Sequence, residues 1–378
     1  MAEPAFSQHE GGAVPAPPEA GVVPFSATHL PAVAGMFAQT FRGGAGRSAE
    51  TLRRTIAQLF LERDAAYADI PSLVHVNADG RVDGFLGVHV AAFECAGQPV
   101  RVAFCGSLMA ASPDTDPFVG AKLLRRFLAG PQDISASESA NAVSQGLWTR
   151  LRGAVLPDYS LEWIRVLRPA GFGIALAGHA RPALRHMAPL ARPFDALAGR
   201  IGAFHAPQPG PCTDEEGDSA TIGALLERFS ADAVLRPEWS AVDLCRRLAD
   251  ARHKARYGPM QARIVRRGKA AIGLFVYHAH PDGIAHVLDI AAAPGQLPAV
   301  IDHLFAHAHA RGLVGLRGRT RPDLLEALLT RRCHFSHRAA TVVTSRDPAL
   351  MDRIRSGRLV INGLAGENWM PLIGHDFA

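Results

Sequence analysis

Histidine is the side chain whose spacing first suggests chemistry in this sequence. His303 and His307 stand four apart in a stretch, 297–311, that reads as a helix, with His309 nearby. His278, His280 and His286 fall on a hairpin just before it. Two imidazoles at i and i+4 share one helix face and can hold one metal ion between them. No glutamate completes an HExxH arrangement and the hairpin strands alternate faces, so the expectation is that no metal is bound. The five cysteines (Cys95, Cys105, Cys212, Cys245 and Cys333) form no CxxC pair, which fits reduced thiols and a cytoplasmic setting. Cys105 lies inside a strand-like run, where a cysteine ordinarily serves as a small apolar filler. A G-x-S-x-G elbow, a phosphate loop of the G-x-x-x-x-G-K-[ST] type and a strand-linked G-x-G-x-x-G are all missing. Serine hydrolysis, nucleotide hydrolysis and dinucleotide binding therefore lose their usual supports.

The chain that must position any site has 378 residues, 48% of them hydrophobic and 20% charged. That composition describes a globular protein, and the length exceeds what one core usually organises, so two domains are expected. No apolar run reaches the ~20 residues of a membrane span, and the acidic start MAEPAFSQHEGG lacks the pattern of a secretion signal. The net charge of +5 comes almost wholly from arginine, whose planar fork suits phosphate and carboxylate. Spread over so long a chain it permits an anionic partner, and the absence of aromatic residues among the basic segments argues against nucleic acid.

Residues 1–21 are rich in Pro, Ala, Gly and Glu and read as a disordered tail. From Val22 a short strand leads into a helix with Leu30, Val33, Met36, Phe37 and Phe41 on one face. A second helix follows from Ser48, with Leu52, Ile56, Leu59 and Phe60 at helical spacing. Three antiparallel strands come next, turning at Asn77–Arg81 and at Ala96-Gly97-Gln98. Helix, strand, helix and strand then close the first half, ending near Val166. Residues 171–217, full of Pro, His, Arg and Gly, read as a connector. The second half restates the order from Thr221 to about Thr344, which marks an internal structural repeat. The division expected is a tail at 1–21, a first domain at 22–170, a connector at 171–217 and a second domain at 218–378. The last residues, LVINGLAGENWMPLIGHDF, carry enough apolar side chains to pack back onto a domain.

This element order resembles the GCN5-related N-acetyltransferase fold, and the chain looks like two such domains in tandem. The resemblance implies an α/β (α+β) architecture, each domain a mixed, mostly antiparallel sheet flanked by helices. In that family the helix after the fourth strand opens with Q/R-x-x-G-x-G/A, whose backbone amides cradle the pyrophosphate of acyl-coenzyme A. Helix N-termini suit this because their amides are unpaired and their dipole end is positive. Here Thr115 stands at the Gln/Arg position and Phe118 at the middle glycine; Gly120 keeps the last glycine. The resemblance places the phosphate cradle at Val119, Gly120, Ala121 and Lys122, although Asp116 beside it carries the wrong charge. The family's next helix often begins with Asn and has Tyr seven residues on. Asn141 matches and Trp148 takes the Tyr position, so protonation of the leaving thiolate by a phenol is lost. The equivalent loop of the second half, Ala293 to Pro298, has two prolines that remove amide donors, so the cofactor is expected in the first half.

The activity implied is N-acyl transfer from an acyl-coenzyme A, by default acetyl-CoA, to an amine on a small molecule or peptide. The reaction needs a proton acceptor for the amine and a hydrogen-bond donor for the thioester oxygen. The end of the third antiparallel strand, Leu108-Met109-Ala110, is where a bulge amide would supply the donor. Glu138, just past the next short strand, is the expected general base. Two alternatives share the resemblance: a noncatalytic acyl-CoA-binding or scaffold protein, and an aminoacyl transferase similar to the Fem peptidoglycan enzymes.

Overall fold

The computed structural model describes residues 20–42, 49–62, 64–111, 116–202, 204, 208 and 210–374. Most of the N-terminal tail, Ser48, Thr115 and Phe377 lie outside them. The first half runs β1 (Gly21–Pro24), α1 (Leu30–Arg42), α2 (Ala49–Phe60), β2 (Leu73–Val76), β3 (Val82–Cys95) and β4 (Gln98–Ala110). It continues with α3 (Val119–Leu128), β5 (Ile134–Ala140), α4 (Ala142–Arg150), β6 (Ala154–Val155), α5 (Pro157–Ser160) and β7 (Leu161–Val166). The turns are those the residues require. Gly80 takes a positive φ of 75° beneath Asn77, whose side chain accepts from Asp79 N and Arg81 N. Ala96 and Gly97, at φ 49° and 83°, form the two-residue link between β3 and β4.

The stretch read as a connector holds two helices, α6 (Pro169–Ala180) and α7 (Ala188–Ala198), joined by a 3-10 segment. Proline stands in the first turn of each of them, where its missing N–H costs nothing, and Pro193 is tolerated inside α7. The second half then has β8 (Thr213–Glu216), α8 (Ser219–Ser230), β9 (Leu235–Pro237), α9 (Ala241–Ala251), β10 (Met260–Arg267), β11 (Ala270–His278) and β12 (Ile284–Ala292). It ends with α10 (Leu297–Ala310), β13 (Gly315–Arg319), α11 (Pro322–Leu329), β14 (His334–His337), β15 (Ala340–Thr344) and α12 (Pro348–Ser356).

These strands make two mixed, mostly antiparallel sheets flanked by helices, the architecture expected. The first runs β1-β2-β3-β4-β5-β15-β6, with β9 on the far end of β3; the second runs β14-β7-β13-β12-β11-β10-β8. Strand membership does not follow chain order. β7, last strand of the first half, pairs with β13 and β14, whereas β15, last strand of the second half, pairs with β5 and β6. The halves therefore exchange their closing strands.

β3 is buried along most of its length because both faces of its sheet are covered. Phe85 packs with Val33, Phe37, Ile56 and Phe60 of α1 and α2, while Leu86 and Val88 pack with Val119, Leu123 and Phe127 of α3. Phe41 of α1, placed on the apolar face by its spacing, is exposed. A final strap of irregular chain, residues 358–374, lies between the two halves, and its Trp369 and Leu364 are buried.

Candidate functional site

Each sheet contains one parallel strand pair that begins in register and then separates. β4 and β5 pair from Val102–Ile134 to Phe104–Ala136, after which both strands continue unpaired with each other. The residues beyond, Gly106 to Ala110 on one side and Ser137 to Ala140 on the other, flank a wedge. At its mouth β4 carries a bulge: Phe85 pairs with Met109 and Gly87 with Gly106, so Ser107 and Leu108 together oppose Leu86. Ser107 sits at φ +53°, a left-handed backbone that a side chain adopts at a cost. An extra residue of this kind locally disrupts the ladder, as bulges beside functional sites do.

The expected residues surround this wedge. Leu108 and Ala110 are half-buried on the α3 face, and Met109 is buried on the α1–α2 face. Asn141 caps α4, its side-chain oxygen accepting from Ser144 N at 2.9 Å. Trp148 is fully buried against Phe127 as a core residue. Its indole N–H has no hydrogen-bond partner among the described residues.

Val119 to Lys122 form the first turn of α3. A Cβ built on Gly120 meets only Leu147 Cδ1, at an ordinary 3.6 Å. The protein's own packing does not demand glycine there. Asp116 is held by its neighbours, accepting from Phe118 N at 2.9 Å and from Lys122 Nζ at 2.7 Å. Those two bonds keep its carboxyl below the usual range. Lys122 is thereby spent on Asp116, which leaves amides, rather than the ammonium, as the main donors of this turn.

Glu138 is 1% exposed and its carboxylate accepts four bonds from the strap. Oε1 takes Gly363 N and Asn368 Nδ2; Oε2 takes Glu367 N at 2.9 Å and Asn368 N at 3.2 Å. Burial raises its proton affinity, while Arg319 and these amides pull it down. The return contact is made by Glu367, whose carboxylate accepts Glu138 N at 2.6 Å and Ser139 Oγ at 2.9 Å. Glu367 thus stands inside the wedge, with Oε2 3.2 Å from where a Cβ on Gly106 would be. Burial and the charge of Glu138 push it up to about 7. Sequence reasoning found Glu138 and missed Glu367. The available signal was a carboxylate within a C-terminal run rich in apolar residues.

The strap also reaches the second half. Arg247 donates to Leu364 O at 2.8 Å, Lys254 to Met370 O at 2.8 Å, and Leu364 N donates to Asp289 at 3.3 Å. β12 and β13 separate after Val287–Gly318, and Asp289 with Arg321 and Gly363 of the strap line the small cavity there. One strap therefore runs across both places where parallel strands part.

Beside the first wedge, α2 and α9 enclose a cleft of about 580 Å³ floored by His89 to Ala92 of β3. Glu62, Asp64, Glu238, Asp243 and Asp250 line it against Arg54, Arg246 and Arg247, five carboxylates to three guanidiniums. Its aromatic walls are Tyr67, Trp239 and Trp369. Arg247 lies over both tryptophans, 5.5 Å from Trp239 and 5.1 Å from Trp369, and contacts His89 Nε2 at 3.0 Å. Burial lowers this guanidinium to about 10. The strap thus places Glu367 in the wedge and Trp369, two residues on, in the cleft.

The remaining candidates have structural partners. Cys105 is buried and its thiol is pushed well up by burial and by Glu367. His303 and His307 both turn onto Asp214 of β8, at 2.7 and 3.4 Å, and Arg263 binds the same carboxylate at 2.5 Å. Among the described residues no group of histidine, cysteine and carboxylate side chains is arranged to hold a metal ion. No described helix is long and apolar enough to cross a membrane.

No protein-family model matches the sequence, and no curated protein matches it. Solved structures match its fold. A GCN5-related N-acetyltransferase from Kribbella flavida aligns over 87% of this chain and 71% of its own, with a TM-score of 0.54 and 14% identity. Another, from Anabaena variabilis ATCC 29413, aligns over 87% and 73% with a TM-score of 0.56 and 11% identity. The chain has the fold of the GCN5-related N-acetyltransferases.

Proposed function

We propose that this chain is an acyl-coenzyme A-dependent N-acyltransferase, with acetyl as the default acyl group, acting on an amine held in the α2–α9 cleft. The observation that carries the reading is the wedge: parallel strands that part, a bulge at the parting, and a helix N-terminus with an open glycine beside it. The co-substrate would supply an acyl group activated as a thioester. Amides of Gly120 and Ala121, next to Val119 whose N–H donates to Asp116 O, would bind its pyrophosphate, and Leu108, Met109 and Ala110 with Asn141 would hold its pantetheine. The bulge amide would donate to the thioester oxygen as negative charge develops there. The excess of carboxylates in the cleft favours a cationic acceptor, and the aromatic walls shield it from water. The two sheets, each with its parted strand pair, are read as a tandem of which the first keeps the co-substrate.

A noncatalytic acyl-CoA-binding role is favoured by two observations: Trp148 replaces the phenol of the family, and the strap fills the wedge from behind. Calorimetry with acetyl-CoA, followed by thiol release over a panel of amines, separates the two readings. Gly120→Glu should abolish acetyl-CoA binding while leaving the thermal unfolding midpoint nearly unchanged, because the new Cβ meets no close contact. The control is Gly295→Asn at the second half's loop, since Gly295 has φ +72° and asparagine tolerates that backbone. Equal loss at both glycines, or none at Gly120, would remove the co-substrate from the first half.

A further inference from the structure

The wedge contains two buried carboxylates, and they differ in how their oxygens are used. Both oxygens of Glu138 are saturated, each with two donors from the strap, so this group is committed to holding chain. Glu367 is held in turn by Glu138 N and Ser139 Oγ, and its Oε2 faces the glycine backbone of β4 just before the bulge. A Cβ at 106 would stand 3.2 Å from Glu367 Oε2, closer than ordinary contact, so glycine eases that approach. The same short strap segment lines the amine cleft through Trp369.

We propose that Glu367 is the proton acceptor of the reaction and that Glu138 is the positioning residue that seats it. The inference rests on the acyltransferase reading above. The Glu367 carboxylate takes one proton from the substrate ammonium. The nitrogen lone pair forms a C–N bond at the thioester carbonyl carbon, and the C–S bond breaks with its electron pair leaving on sulfur. A second N–H proton passes to the sulfur, so the products are the amide, the thiol and one proton released from Glu367 to solvent. The charged groups facing Glu367 are Glu138 from β5, Arg319 from β13 and the Cys105 thiol from β4. Burial and Glu138 hold Glu367 near 7, the range in which a base works best at neutral pH.

The test compares Glu367→Gln and Glu367→Asp with the wild-type chain. Readouts are the pH profile of kcat/KM, kcat itself, acetyl-CoA affinity by calorimetry and the thermal midpoint. Gln keeps an oxygen for Glu138 N but cannot take a proton, so kcat should fall by ~10²-fold or more and the acidic limb near pH 7 should vanish. Acetyl-CoA affinity should persist. Asp should keep a limb, displaced in pH, with a smaller loss of rate, which also serves if the Gln chain does not fold. A merely structural role would lower the midpoint of both variants and leave the limb in place, and that result overturns the assignment. A wild-type chain that binds no acetyl-CoA and releases no thiol overturns the acyltransferase reading itself. Wild-type turnover with an unaltered Glu367→Gln chain overturns this inference alone.

Discussion

An ammonium group sealed from water is costly unless its protons find acceptors, and Lys254 shows how this molecule meets that cost. It is 2% exposed, and its Nζ donates to Met370 O and Ile373 O of the strap at 2.8 and 2.5 Å. Burial lowers it from 10.5 to about 7, with Glu138 pulling the other way. A neutral amine still has two N–H bonds, one for each carbonyl, so the strap remains tied on either side of that titration. The unfolded chain keeps the proton up to about 10.5 and the folded chain releases it near 7. Between those values the unfolded state binds more protons, so stability rises with pH. The thermal midpoint of the wild type should accordingly gain on that of Lys254→Met from pH 7 towards pH 10, followed by calorimetry across the series. A constant difference would mean that Lys254 titrates as an exposed lysine. The sequence marked Glu138 because it was expected just past a short strand, and it lies inside β5; Glu367 and Lys254 went unmarked. Glu367 meets its partner 229 positions away and Lys254 meets the strap 116 positions away, and neither distance leaves a periodic trace.

Among the elements, β4 carries the strain that the site requires. Ser107 holds φ +53° because the hydrogen-bond ladder on both sides of the bulge fixes it there. Ser107→Gly should leave stability unchanged or raise it by up to ~1 kcal/mol, since glycine adopts this backbone freely. Ser107→Val should cost ~1–2 kcal/mol, because a β-branched side chain tolerates the left-handed region least. Urea midpoints at constant slope would measure both, and equal values would show that the bulge is not strained. The hairpins were legible in the sequence since their signals are local: Asn77 to Arg81, and Ala96 with Gly97. The amphipathic helices α1 and α2 were legible for the same reason. α6 and α7 were obscured because their prolines resemble linker composition, although Pro169 and Pro189 stand in first turns and Pro193 is tolerated inside α7. The bulge was anticipated at Leu108–Ala110 through the family resemblance, and it falls one residue earlier, at Ser107 and Leu108.

At the scale of the molecule the exchange of β7 and β15 governs stability. The order of elements in each half could be read from periodicity, yet which sheet a closing strand joins depends on pairing between distant segments, which periodicity does not encode. With each sheet borrowing a strand and the strap bound to both halves, the full chain should unfold in one cooperative transition. Calorimetric and van't Hoff enthalpies should then agree. Two resolved transitions would show that the halves are independent. Residues 20–170 expressed alone should fail to give a cooperative transition, since β5 and β6 would lack β15 between them.

The strand exchange also bears on how the protein is made. During synthesis the wedge-bearing half leaves the ribosome first, but its sheet waits for residues 340–344, and Glu367 and Trp369 arrive later still. A chain cut before residue 358 would lack the strap that bonds Glu138, so the wedge of the first half would be left unfinished.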